Sequence, residues 1–184
     1  MKQTIIAVIC FLCVSSLYIQ AQKINHPSLL YTPQRIQQVK QRMQHEPKLQ
    51  EAWGDIKRTA DEALQKKDFN RLDYLSLAYL MTDNKEYADV IKEILLKTVE
   101  AESWGDVEMM ARIPAWRSQL GMAHKSFLSA VGYDAAYNVM SSSERKKIAE
   151  GLKRLAVEPA LGDWLLEPTR IHSLNSMGHN WWTS

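Results

Sequence analysis

The chain has 184 residues, enough for one domain with a core of its own. Its formal net charge of +2 gives no push toward a nucleic-acid partner, although it leaves room for a local basic cleft. Both cysteines, Cys10 and Cys13, lie inside an apolar N-terminal run, so the chain beyond it holds no disulfide, thiolate nucleophile or Cys-ligated metal.

That run, Ile5 to Leu17, follows the cationic Lys2 and ends near the small residues Ser15, Ser16 and Ala21. This is the pattern of a secretory signal peptide, residues 1–21, cut after Ala21. A membrane span needs about 20 apolar residues, more than the run offers. No cysteine stands just after it for lipid attachment. The expectation is a periplasmic or secreted protein, free of the membrane once the signal is removed.

Residues 22–31 read as an ordered lead-in, and Thr32-Pro33 as an N-cap with proline at the first helical position. Ile36, Val39 and Met43 then give one apolar face, in a helix that must stop before Pro47. Pro47 opens a second helix with the stripe Leu49, Trp53, Ile56, Ala60 and Leu64. A polar linker, Lys66 to Asp68, precedes a third over about 69–81, with Leu72, Leu75, Ala78 and Leu80 as buried candidates. Thr82-Asp83-Asn84 is a turn cluster, and a fourth helix over 85–99 turns Tyr87, Val90, Ile91, Ile94 and Leu95 inward.

Residues 101–118, with Gly105, Pro114, Trp104 and Trp116, read as a loop or a broken helix. Helical spacing returns over 119–139, where Leu120, Phe127, Val131 and Ala135 are predicted inward and Gly121 and Gly132 predict close helix contacts. Ser141 and Glu144 form a capping box that marks the next helix start. Ile148, Leu152 and Leu155 are its core face, and Arg145, Lys146, Lys147, Lys153 and Arg154 its solvated face. Pro159 and Gly162 are expected to end it. No segment alternates as a strand does, so the fold class is all-α, built from antiparallel helix pairs compatible with a toroid or solenoid.

Chemistry concentrates in Arg170 to Ser184, RIHSLNSMGHNWWTS. The chain carries no glycine-rich phosphate loop, nucleophile elbow or H-E-x-x-H helix, so no cofactor is expected. His172 and His179 are seven apart but have no third ligand nearby, so no metal is expected either. His179 and Asn180 each donate and accept hydrogen bonds, which suits them to hold a carboxylate or move a proton near neutral pH. Trp181 and Trp182 offer flat apolar faces for a sugar ring, and Arg170 a fixed cation for a carboxylate or sulfate. A bland alternative stands beside this one: a satisfied His-Asn pair and two core tryptophans.

The lead-in HPSLLYTPQRIQQVKQRM, the helical body and the closing SMGHNWW together resemble the start of a heparinase II/III-family polysaccharide lyase. The resemblance implies the N-terminal part of an incomplete (α/α) toroid over residues 22–184, with the rest of the toroid and its β-sandwich domains absent. It also implies cleavage of an anionic uronate polysaccharide by β-elimination. By match of motif, His179 falls on the group that neutralises the uronate carboxylate, with Asn180 as helper. Arg170, His172, Trp181 and Trp182 are then substrate-binding candidates. The family's tyrosine and further histidine lie downstream of the Gly-His motif. Tyr31, Tyr74, Tyr79, Tyr87, Tyr133 and Tyr137 lie earlier and read as packing residues. Two other readings compete: an (α/α)-toroid glycoside hydrolase, for which Asp163 and Glu167 are the nearest carboxylates, and a non-catalytic helical-repeat binder of glycans or proteins.

Overall fold

The computed structural model describes residues 24–166 apart from Pro114. Among them there is no strand, and the described chain is all-α. The signal-peptide segment 1–21 lies outside the described residues.

Local signals set most helix starts. Thr32 caps α1 (Pro33–Met43) by accepting the Arg35 amide at 3.3 Å, with Pro33 in the first turn where its missing N–H costs nothing. Pro47 opens α2 (Pro47–Lys66), which ends on Lys67 in the left-handed region at φ 50°. Asp68 caps a short 3₁₀ turn (Phe69–Arg71) that feeds α3 (Leu72–Thr82). Asp83, at φ 58°, stops α3, and Asn84 caps α4 (Lys85–Thr98) through the Glu86 amide at 3.0 Å. After a single turn, α5 (Val107–Met110), Gln119 caps α6 (Leu120–Ala136), followed by a 3₁₀ turn, Tyr137–Val139. The capping box is formed in full at α7 (Ser142–Leu152): the Glu144 amide donates to Ser141 Oγ at 3.2 Å, and the Ser141 amide donates to Glu144 at 2.8 Å.

The core follows from α3. Its sequence, LDYLSLAYLMT, is apolar all round, which suits a helix enclosed on every side. It packs against α2, α4 and α6, and buries Leu72, Leu75, Ala78, Tyr79 and Met81. The buried Ser76 hydroxyl returns its hydrogen bond to the Leu72 carbonyl at 2.6 Å. Tyr87, Ile91 and Leu95 of α4, Met122 and Leu128 of α6, and Ile148 and Leu155 beyond them complete one cluster. Each such large side chain contributes roughly 1.5–3 kcal/mol relative to exposure. At Gly132 the side chains of Ile91 and Leu72 lie 3.3 and 3.4 Å from where a Cβ would stand, so the predicted close contact is present there.

Several expectations are corrected. Leu120 and Phe127 are exposed, not inward. The all-round burial of α6 begins only at Leu128, and its first turns are covered on one side, by way of Met122 and Ala123. Gly121 makes no helix contact, because its nearest neighbours belong to its own cap, Gln119. Leu80 and Val90 are half-buried; in α3 the deeper neighbour of Leu80 is Tyr79. Pro159 and Gly162 do not end the last helix. It continues from α7 through a π segment (Lys153–Val157), a short α8 (Glu158–Leu161) and a second π segment (Gly162–Leu166). The Glu158 amide reaches back five residues to the Lys153 carbonyl, which widens the turn just ahead of Pro159. Proline then occupies the opening of α8, where it has no amide to place.

The basic face of that last run is only partly solvated. Lys146 and Lys153 stand outward, but Arg145 lies 4.8 Å over the Tyr137 ring and donates to the Tyr137 carbonyl. Lys147 pairs with Glu100 at 2.8 Å, and Arg154 donates to the carbonyls of Val99 and Glu102. Arg154 thus satisfies carbonyls where the chain leaves α4, Lys147 holds the Glu100 carboxylate there, and Arg145 serves the 3₁₀ turn after α6.

Candidate functional site

The six residues singled out by sequence, Arg170, His172, His179, Asn180, Trp181 and Trp182, lie outside the described residues, as does Glu167. The structure shows the platform from which their stretch departs. The last described turn is pinned by Asp163. Its carboxylate accepts the amides of Arg117 and Ser118, each at 2.8 Å, and the Arg117 Nε–H at 2.8 Å. Trp164 Nε1 donates to Ser118 Oγ at 3.1 Å. Gly162 leaves the room this needs, since a Cβ there would overlap the Arg117 guanidinium.

Asp163 is therefore not a free acid in a cleft. It is fully buried. Burial alone would raise its pKa, but the Ser118 amide, the Arg117 side chain and the Arg117 amide outweigh it and hold the carboxyl below its ordinary value. A sealed carboxylate held below its ordinary pKa is poorly suited to protonate a leaving oxygen near neutral pH. This removes the one described carboxylate on which the hydrolase reading leaned.

A second buried carboxylate, Asp134 of α6, grips the lead-in. It accepts the amides of Ser28 and Leu29 at 2.9 and 2.8 Å and meets His26 Nδ1 at 2.6 Å. The His26 ring stacks on Tyr137 with centroids 3.8 Å apart. Again burial pushes the carboxyl pKa up, while Leu29, His26 and Ser28 pull it further down, to a net lowering. Sequence reading missed this clamp because its partners are 105 to 108 residues apart.

Four of the tyrosines are held more firmly protonated than a free phenol. Burial, with Asp73 and Tyr74 nearby, pushes the Tyr31 phenol up to about 12. Tyr79, Tyr87 and Tyr133 are also raised, chiefly by burial. Tyr87 donates to Asp61 from the core edge.

Two depressions open at the start of α6, one against the loop and turn around α5 and one against the ends of α2 and α4. The larger, about 680 Å³, is lined by Trp104, Asp106, Trp116, Gln119, Leu120 and Lys125. The other, about 580 Å³, is lined by four lysines, Lys66, Lys67, Lys97 and Lys125, with Glu93 as its one acid. They share Trp104 and Lys125. Trp104 is buried, with its Nε1 donating to the Thr98 carbonyl at 3.3 Å, and forms the wall between them. Trp116 Nε1 donates to the Ser118 carbonyl, so the Asp163 clamp borders the larger depression. No three His, Cys, Asp or Glu side chains come together as a metal-holding group among the described residues.

Comparison of the chain with models of known protein families, with curated proteins and with solved structures finds no match in any of the three.

Proposed function

We propose that the chain is part of an exported polysaccharide lyase that cleaves uronic-acid-containing polysaccharides by β-elimination, its helices running as antiparallel pairs in an incomplete (α/α) toroid. The supporting observation is the pairing of two stretches at either end of the helical body: the HPSLLYTPQRIQQVKQRM lead-in and SMGHNWW. The first is a built element, since His26, Ser28 and Leu29 are the residues that Asp134 holds.

Elimination removes the C5 proton alpha to the uronate carboxylate. Its electron pair becomes the C4–C5 double bond, the C4–O bond breaks, and the glycosidic oxygen leaves with a proton. The C5 proton is weakly acidic while the carboxylate stays anionic, so hydrogen bonds must first quench that charge. This role is assigned to His179, helped by Asn180, with Arg170 and His172 on the acid groups and Trp181 and Trp182 against sugar rings. The proton-transfer tyrosine and second histidine of such lyases have no counterpart downstream of His179 within these 184 residues. The 184-residue chain alone is thus expected to be inactive.

The test uses the whole lyase of which this chain is proposed to form a part. The longer chain should release products with the ultraviolet absorbance of a conjugated, unsaturated uronate. His179→Ala should cut turnover by about a hundredfold or more, the cost of losing one such donor, with unchanged circular dichroism. Unchanged turnover in H179A, or no unsaturated product from any uronate polymer, overturns the proposal. A helical-repeat binder would be indifferent to His179.

A further inference from the structure

The lysine-lined groove belongs to no device described above. Two of its cations have ordinary explanations: Lys66 and Lys97 sit in the last turns of α2 and α4, where a cation offsets the carbonyl end of a helix. Lys67 is neutralised by Glu93 at 2.7 Å, and Lys66 lies 3.9 Å from Glu62. Lys125 has no such explanation. It stands in the second turn of α6, far from that helix's carbonyl end, and lines the same groove as Lys97. Neither Lys97 nor Lys125 has an ion-pair partner among the described residues. The groove's floor is apolar: Phe69 and Ala101, which pack against the core cluster, and Ile94 and Trp104, which belong to it, line the groove together with Thr98 and Ser103.

Cations around an apolar floor fit a ligand whose rim is anionic and whose rings present C–H faces. The groove shares Trp104 and Lys125 with the neighbouring depression, whose Trp116 donates to the Ser118 carbonyl beside the Asp163 clamp, three residues before the described chain ends at Leu166. We infer that this groove is a binding subsite for acidic sugar units of an oligouronate, held by Lys97 and Lys125 over the Phe69–Ala101 floor. The inference rests on the proposed lyase function, because that supplies the acidic sugar chain and places its cleavage in the stretch that follows Leu166. Single-stranded nucleic acid and acidic peptide also combine anions with apolar faces, so both enter the test as competitors.

The experiment measures binding by the full 184-residue chain at physiological salt. Probes are oligouronates from alginate, pectin, chondroitin and heparan, with a neutral glucan, single-stranded DNA and polyglutamate as controls. At least one oligouronate should bind better than every control. The double variant K97A/K125A should weaken it about tenfold, the loss expected from two partly exposed charges, and flatten its salt dependence. K146A/K153A makes the same charge change on the outward face and should leave binding unchanged. Circular dichroism checks that both variants fold. Equal weakening by the two variants, undiminished binding by K97A/K125A, no oligouronate binding, or equal binding of DNA or polyglutamate overturns the subsite. The lyase reading is judged separately by unsaturated product from the longer chain: product formed equally by K97A/K125A at limiting substrate sinks the groove and spares the lyase.

Discussion

Asp134 and Asp163 use the same chemistry at two places in the fold. Each is a buried carboxylate that accepts two backbone amides and one side-chain nitrogen. Asp134 reaches from the middle of the core to the lead-in more than a hundred residues earlier. Asp163 reaches from the last turns to the loop ahead of α6. In both cases the held segment is irregular, and its amides have no ladder to join. A carboxylate has several lone pairs at one point, so it satisfies such amides as a group. The helices are held by apolar burial; the coil segments around them are held by charge.

The two clamps differ in the third partner. Arg117 brings a guanidinium that stays charged at any ordinary pH, against a carboxylate with no exposure. His26 brings an imidazole at the surface of the lead-in, stacked on Tyr137. Asp163→Ala should therefore be the costlier change, about 3–5 kcal/mol, because it strands a guanidinium and two amides. Urea unfolding measures it, and a loss below about 1 kcal/mol would show that Asp163 is not a clamp. Asp134→Ala should cost about 2–3 kcal/mol, since the freed Ser28 and Leu29 amides can turn to water. It should also speed proteolysis within residues 24–32 while the helical signal stays intact. His26→Ala should cost about 1 kcal/mol and leave the two amide bonds in place. A loss as large as that of Asp134→Ala would mean that the ring, not the carboxylate, organises the lead-in.

Acid gives the finest comparison. Both carboxyls are held below their ordinary values in the fold, so the unfolded chain takes up their protons at higher pH than the folded chain does. Their contribution is complete above the unfolded value, about 4, and fades as pH falls through the folded values. Stability should drop from about pH 4 downward. Removing either aspartate should make that drop shallower, with Asp163→Ala having the larger effect. A slope unchanged in both variants would assign acid unfolding to other groups.

Legibility followed the distance between partners. Thr32-Pro33, Asp83-Asn84 and the Ser141–Glu144 box act within a turn, and each could be read from adjacent letters. The error at Pro159 has the same root: proline breaks a helix of regular pitch, and the π turns that admit it carry no letter code. Leu120 and Phe127 obey the apolar spacing, but spacing cannot say where the neighbouring helices run out. Of the candidate site, the polar stretch 170–182 was visible as composition and lies outside the described residues. The four groove lysines were invisible, because positions 66, 67, 97 and 125 form no motif.

By itself the sequence determined the helical class, most helix starts and the apolar faces, since capping and amphipathic periodicity act over a few residues. Tertiary structure alone decided which charges are buried, turning Asp163 from a candidate acid into an anchor and bringing Lys97 and Lys125 to one groove. The reason is physical: a titratable group takes its role from the dielectric and partners around it, and those come from chain segments far apart in sequence.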